Sequence, residues 1–130
     1  MSDLPYLHGI PISVKDCLQT KGNVSTIGVA MRSEKVSDDD ASCIKKILEA
    51  GAIPIIKGNM PFGGLAIHTS NFIWGTAKNY YDNSRTCGGS SGGEAGLVSS
   101  WSIPIAIGTD VGGSIRIPSH FNGLNGFKPT

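Results

Sequence analysis

SDDDASCIKKILEAGAIPIIK, residues 37–57, holds two periodicities in one stretch. Three aspartates lead into Ile44, Ile47 and Leu48, which share one helical face, and Gly51 follows where a helix ends in a left-handed residue. The pattern predicts a helix of about three turns. Ala52 to Lys57 then turns apolar and rich in isoleucine, the composition of a strand. Upstream, Gly9-Ile10-Pro11-Ile12-Ser13-Val14 reads the same way and stops at the charged pair Lys15-Asp16. Strand, helix and strand in that order predict an α/β layer structure in which Lys15 is carried from a strand end into the interior. Farther on, Pro104 to Gly108 reads as a third strand and Leu124 to Thr130 as a fourth. Ser91-Gly92-Gly93-Glu94 has the spacing of a capping box and predicts a short helix over Ala95 to Ser99, with Ser90 immediately before it. Met60 to Phe72 has no clear period, and Trp74 to Arg85 reads as loop. The expected fold is thus α/β, a mixed sheet flanked by helices.

Composition narrows the function. The chain has 130 residues, 39% hydrophobic and 16% charged, enough for one core. Its net charge of +1, with no run of like charge, argues against nucleic acid or an anionic membrane as partner. No apolar segment approaches the roughly 20 residues of a membrane-spanning helix, and Met1 to Tyr6 lacks a secretory start. Cys17, Cys43 and Cys87 are odd in number and unpaired in spacing, so a disulfide framework is not suggested and a reducing, cytoplasmic setting fits. Neither they nor His8, His68 and His120 have the spacing of a metal site, and no cofactor is implied.

The 18 glycines concentrate from Gly88 to Gly126, interleaved with serines. A flexible linker has that composition, but it does not alternate with apolar runs such as Ile103 to Ile107 or carry Asp110 and Arg116. Val111-Gly112-Gly113-Ser114 follows the third strand, and its two glycines let consecutive amides converge on one point, which is how an oxyanion hole is built. Gly88-Gly89-Ser90-Ser91-Gly92-Gly93 is a second such loop. Neither contains the Gly-Lys-Ser of a phosphate loop. Gly88-x-Ser90-x-Gly92 matches a nucleophile elbow, whose triad would take Asp110 and His120, yet Tyr81 to Thr86 before it is polar where that motif needs a buried strand.

Gly9 to Asp16, Gly88 to Glu94 and Gly108 to Pro118 together resemble the three blocks of the amidase signature family, and the spacings from Lys15 to Ser90 and from Ser90 to Ser114 match as well. The similarity runs from about Leu7 to Thr130 and includes Ser70-Asn71 with Gly75. Ser25-Thr26-Ile27-Gly28 and the block around Cys87 lean toward the fatty-acid-amide-hydrolase-like branch; a short-chain amidase, or the subunit of a glutamine-dependent amidotransferase, is the alternative.

The resemblance implies an amide hydrolase with a Ser-Ser-Lys triad. Ser114 would be the nucleophile, Ser90 the proton relay on a cis Gly89-Ser90 peptide, and Lys15 the base, with an acyl-enzyme on Ser114. It assigns the oxyanion hole to the amides of Val111, Gly112, Gly113 and Ser114, and a supporting shell to Ser91, Thr109, Asp110 and Arg116. The ligand implied is a small-molecule amide, and a homodimer stays open for a complete domain. The family's domain is longer than this chain, so residues 1–130 are expected to be part of one, with exposed sheet edges. A silent fragment that only binds a partner, and an esterase using Ser90 and His120, are the competing expectations.

Overall fold

The structure, a computed structural model, describes residues 3–130; the Met1-Ser2 start of the stretch read for a secretory signal lies outside the described residues. Strand β1 (Pro11–Lys15) is flanked on either side by the parallel strands β2 (Ile53–Gly58) and β5 (Ile105–Ile107). A separate antiparallel ribbon joins β3 (Ser70–Asn71) and β4 (Gly75–Thr76), within the stretches read as irregular. The helices are α1 (Ser42–Glu49), α2 (Gly92–Ser99) and α3 (Arg116–Phe121).

Position in the sheet gives β1 its two faces. Side chains alternate along a strand, so Ile12 and Val14 point one way and Ser13 and Lys15 the other. Ile12 and Val14 form the core with Ile44 of α1 and Ala52, walled by Leu7, Ile10, Leu18 and Ile47. Ser13 and Lys15 are equally buried on the opposite face, where α2 packs. A strand closed on both sides can carry a lysine inward, as its sequence predicts. The register with β2 slips between Ile12 and Ser13, beside Pro54, which has no amide to give to the ladder.

Four expectations are corrected. Helix α1 has eight residues, two turns rather than three, because the aspartates precede it: Asp40 accepts the Lys21 amide at 2.7 Å and Asp39 pairs with Lys45. Gly51 does close it, at φ 91°. No capping box forms at α2. Ser91 Oγ instead exchanges hydrogen bonds with the backbone of Thr109, both at 3.3 Å, and Glu94 turns into the interior. The helix's free amides are met from elsewhere, Gly92 N–H by Thr69 Oγ1 at 3.2 Å and Gly93 N–H by the Asn59 carbonyl at 3.0 Å. Residues 124–130 pair with no strand among the described residues, so the expected fourth strand is absent. Finally, α3 forms where none was foreseen, with Pro118 in its first turn, where a missing amide costs nothing.

The outer strands are bare. Ile53, Ile55 and Ile56 on β2 and Ile105 on β5 are exposed, as expected for a sheet with free edges. Among the described residues no helix is long and apolar enough to cross a membrane.

The approach of α2 to Asn59 sets a test of packing. A methyl at Gly93 would overlap the Asn59 backbone nitrogen and lie 2.5 Å from its carbonyl oxygen. Backbone cannot swing aside as a side chain can, so Gly93→Ala is expected to destabilise the fold by about 1–3 kcal/mol or more. Denaturant unfolding of the variant checks this, with Gly96→Ala as control, since nothing lies within 4 Å of the methyl it would add.

Candidate active site

Lys15 ends β1 with 1% of its surface exposed, and its ammonium group has few partners. Nζ donates to Ser90 Oγ at 2.7 Å and Thr109 Oγ1 at 2.8 Å, with the Thr109 carbonyl at 3.5 Å. No carboxylate lies within salt-bridge distance of it among the described residues. Burial therefore holds the amine below its ordinary range, against the opposing pull of Cys17, Glu94 and Asp110. An amine so placed can shed its proton and take one from a neighbouring hydroxyl.

Ser90 is that neighbour, also 1% exposed, and the Gly89-Ser90 peptide is cis. Thr69 fastens the loop from below: Oγ1 donates to the Gly88 carbonyl at 2.9 Å and accepts the Gly92 amide. Gly88, at φ 81°, lies against Pro118 of α3, where a Cβ would come within 2.8 Å of Pro118 Cα. Bare glycine is what lets this serine loop approach α3. Cys87, just before them, is no rival nucleophile, since burial pushes its thiol up to about 11.

The second loop follows β5. Ser91 N–H donates to the Ser114 carbonyl at 3.0 Å, which ties the two loops together. The Ser114 hydroxyl is half-buried and makes no hydrogen bond among the described residues. Asp110 organises the turn. Its carboxylate accepts the amides of Gly113 at 2.7 Å, Ile115 at 3.0 Å and Arg116 at 3.2 Å, and the Arg116 guanidinium at 2.9 and 3.0 Å. The guanidinium foremost, then these amides, hold the carboxyl well below the usual carboxylate range.

Of the four amides expected in the oxyanion hole, Gly113 is thus committed to Asp110. Those of Val111, Gly112 and Ser114 have no acceptor among the described residues. Of the supporting residues, Thr109 touches Lys15 directly, Ser91 grips Thr109, and Asp110 with Arg116 shapes the turn. The rival esterase set does not assemble: His120 is exposed beside Phe121, and Asp110 is filled by Arg116 and the turn amides.

Two contributors escape a reading of the sequence. Thr69 lies in a stretch without a period, and nothing marks it. Asn71 enters only as part of a resemblance; its amide donates to Asn59 Oδ1 and the Met60 carbonyl while its oxygen accepts from Ile73 and Trp74, bracing the segment that receives α2.

A parallel α/β sheet whose central strand delivers a buried lysine to a serine on a glycine loop, beside a second glycine–serine turn, has the amidase signature fold. The chain belongs to the Amidase family, whose model matches residues 1–130. Fatty acid amide hydrolase 1 of Caenorhabditis elegans is 44% identical over 97% of this chain and 22% of its own length. Among solved structures, an amidase superposes with a TM-score of 0.82 at 40% identity, over 89% of this chain and 26% of that one. A fatty acid amide hydrolase gives 0.84 at 29% identity, over 87% and 20%. The chain therefore spans about a quarter or less of the relatives it matches.

Proposed function

We propose that this chain carries the catalytic centre of an amide hydrolase working through a Ser-Ser-Lys triad and an acyl-enzyme. The observation that carries the reading is the 2.7 Å contact between a buried Lys15 Nζ and Ser90 Oγ, with no carboxylate pairing the amine among the described residues. A serine hydroxyl is a weak nucleophile near neutral pH and needs a base. Ser114 Oγ attacks the amide carbonyl as its proton passes to Ser90 Oγ, while Ser90 gives its own proton to the neutral Lys15 amine. The carbonyl oxygen, now anionic, is held by the amides of Val111, Gly112 and Ser114. Collapse breaks the C–N bond, and the leaving nitrogen takes a proton back through Ser90 from Lys15. Water then attacks the Ser114 ester, its proton running through the same pair; the acid leaves and Ser114 Oγ–H is restored. Carboxylic or fatty acid amides are the proposed substrate class, in keeping with the relatives' names. The exposed isoleucines of β2 and β5 support reading these residues as part of a larger amidase domain.

A fluorophosphonate probe tests the reading on the full-length protein. Labelling is expected at Ser114, mapped by mass spectrometry, and His120→Ala is expected to label at the wild-type rate. Labelling at Ser90 that depends on His120 overturns the triad in favour of the esterase. A folded protein that takes no label supports a silent, binding role.

A further inference from the structure

Glu94 is buried, ionisable and outside the relay. It projects from the first turn of α2 with 3% of its surface exposed. Oε1 accepts from Ser13 Oγ at 3.3 Å, and Oε2 has no partner among the described residues. Ser13 and Lys15 share one face of β1, so the carboxyl stands over the same surface as the amine. Gly58, paired with Lys15 across the ladder, completes the enclosure, since a side chain there would collide with the Glu94 carboxyl. The titratable groups that face Glu94 are Lys15 on β1, Lys57 on β2 and the Cys87 thiol before α2; Cys17 and Asp110 also act on Lys15. Lys57 is engaged elsewhere, donating to the Leu18 carbonyl and Ser25 Oγ, both at 2.7 Å.

We propose that Glu94 is a positioning residue whose carboxyl, set against Ser13 and Gly58, governs the protonation of Lys15 and hence the pH at which that amine becomes a base. This rests on the reading of Lys15 as the base. Burial pushes the Glu94 carboxyl up to about 7, against the pull of its own amide, the Lys15 charge, the Ser13 hydroxyl and the Gly58 amide. Lys15 is lowered by burial and raised by Glu94, so each charge favours the other. Two protonation states of the pair follow. With the carboxyl ionised the ammonium is held; with it neutral the free amine is favoured, and the buried site carries no charge. A structural hydrogen-bonding role leaves Oε2 unexplained, whereas a titrating carboxyl can carry its proton there.

The test replaces Glu94 by glutamine in the full-length protein and follows the Lys15 titration by the resonance of isotope-labelled lysine Cε, alongside the pH profile of fluorophosphonate labelling. Removing the negative charge is expected to lower the Lys15 midpoint by roughly one pH unit, and the acid limb of labelling should move with it. Should Glu94→Gln fail to fold, Ser13→Ala carries the test: without the Ser13 donor Glu94 ionises less readily, and the Lys15 midpoint moves the same way by a smaller amount. A folded variant with an unmoved Lys15 midpoint overturns the proposal, whatever its rate. A wild-type protein that takes no label, yet whose Lys15 shifts on Glu94→Gln, keeps the coupling and overturns the hydrolase reading instead.

Discussion

Lys15→Met is expected to remove fluorophosphonate labelling of Ser114 and to lower amide hydrolysis by about 10³- to 10⁴-fold or more, while the protein still unfolds cooperatively. Methionine is chosen because it fills nearly the same buried volume without a titratable group, so loss of chemistry is not confounded with a cavity. Among the described residues, no other basic group bonds Ser90 or Ser114, so nothing stands in for the amine. The pH dependence gives a second signature. Only the neutral amine accepts a proton, so the wild-type labelling rate should climb as pH rises through the midpoint of Lys15, which burial has brought below 10.5; the methionine variant should show no such climb. The stability contribution of this group has the same direction. Between the folded midpoint and 10.5 the unfolded chain binds the proton more readily than the folded one, so stability rises with pH across that window. Labelling of Lys15→Met within tenfold of wild type would sink the assignment of the base.

Much of this architecture is written in local pattern. The apolar stripe Ile44, Ile47 and Leu48, the left-handed Gly51 and the two isoleucine-rich runs act over a few residues each, and they yield β1, α1 and β2 with small errors at the ends. Lys15 at the end of a strand, and glycines around two serines, are legible for the same reason. What local pattern misreads depends on partners far off in the chain. Ser91 and Glu94 have the spacing of a capping box, but Thr109 offers Ser91 a backbone partner 18 residues away, and Ser13 draws Glu94 inward. Residues 124–130 have strand-like residues, yet they pair with no strand among the described residues, although the outer side of β5 is open. The commitment of the Gly113 amide to Asp110 is finer than any motif, since three residues of loop decide it.

Asp110→Ala is expected to slow labelling of Ser114 by about 10²- to 10³-fold, and, because Asp110 also pulls the Lys15 midpoint upward, to lower that midpoint, by less than Glu94→Gln does. The Asp110 side chain has no exposed surface, whereas 57% of the Arg116 side chain is open to water. The pair is thus lopsided, and its exposed half adds little by itself. What the carboxylate does is gather three amides of one turn, and the Gly113 bond at 2.7 Å fixes the direction in which the neighbouring amides of Gly112 and Ser114 point. Alanine frees that turn, and the oxyanion donors lose their common target while Lys15, Ser90 and Thr109 stay in contact. Arg116→Ala should therefore cost much less than Asp110→Ala, because the amide bonds to the carboxylate remain. The carboxyl is depressed below 3.8, so whatever it contributes to stability is present above that value and is lost only as pH falls through the depressed folded midpoint. An acid limb in the labelling profile well above that range accordingly belongs to Lys15, coupled to Glu94, and should persist in Asp110→Ala at a reduced plateau. A variant that labels at the wild-type rate would mean the turn holds its shape without the carboxylate, and the donors of the oxyanion hole would have to be sought outside Val111 to Ser114.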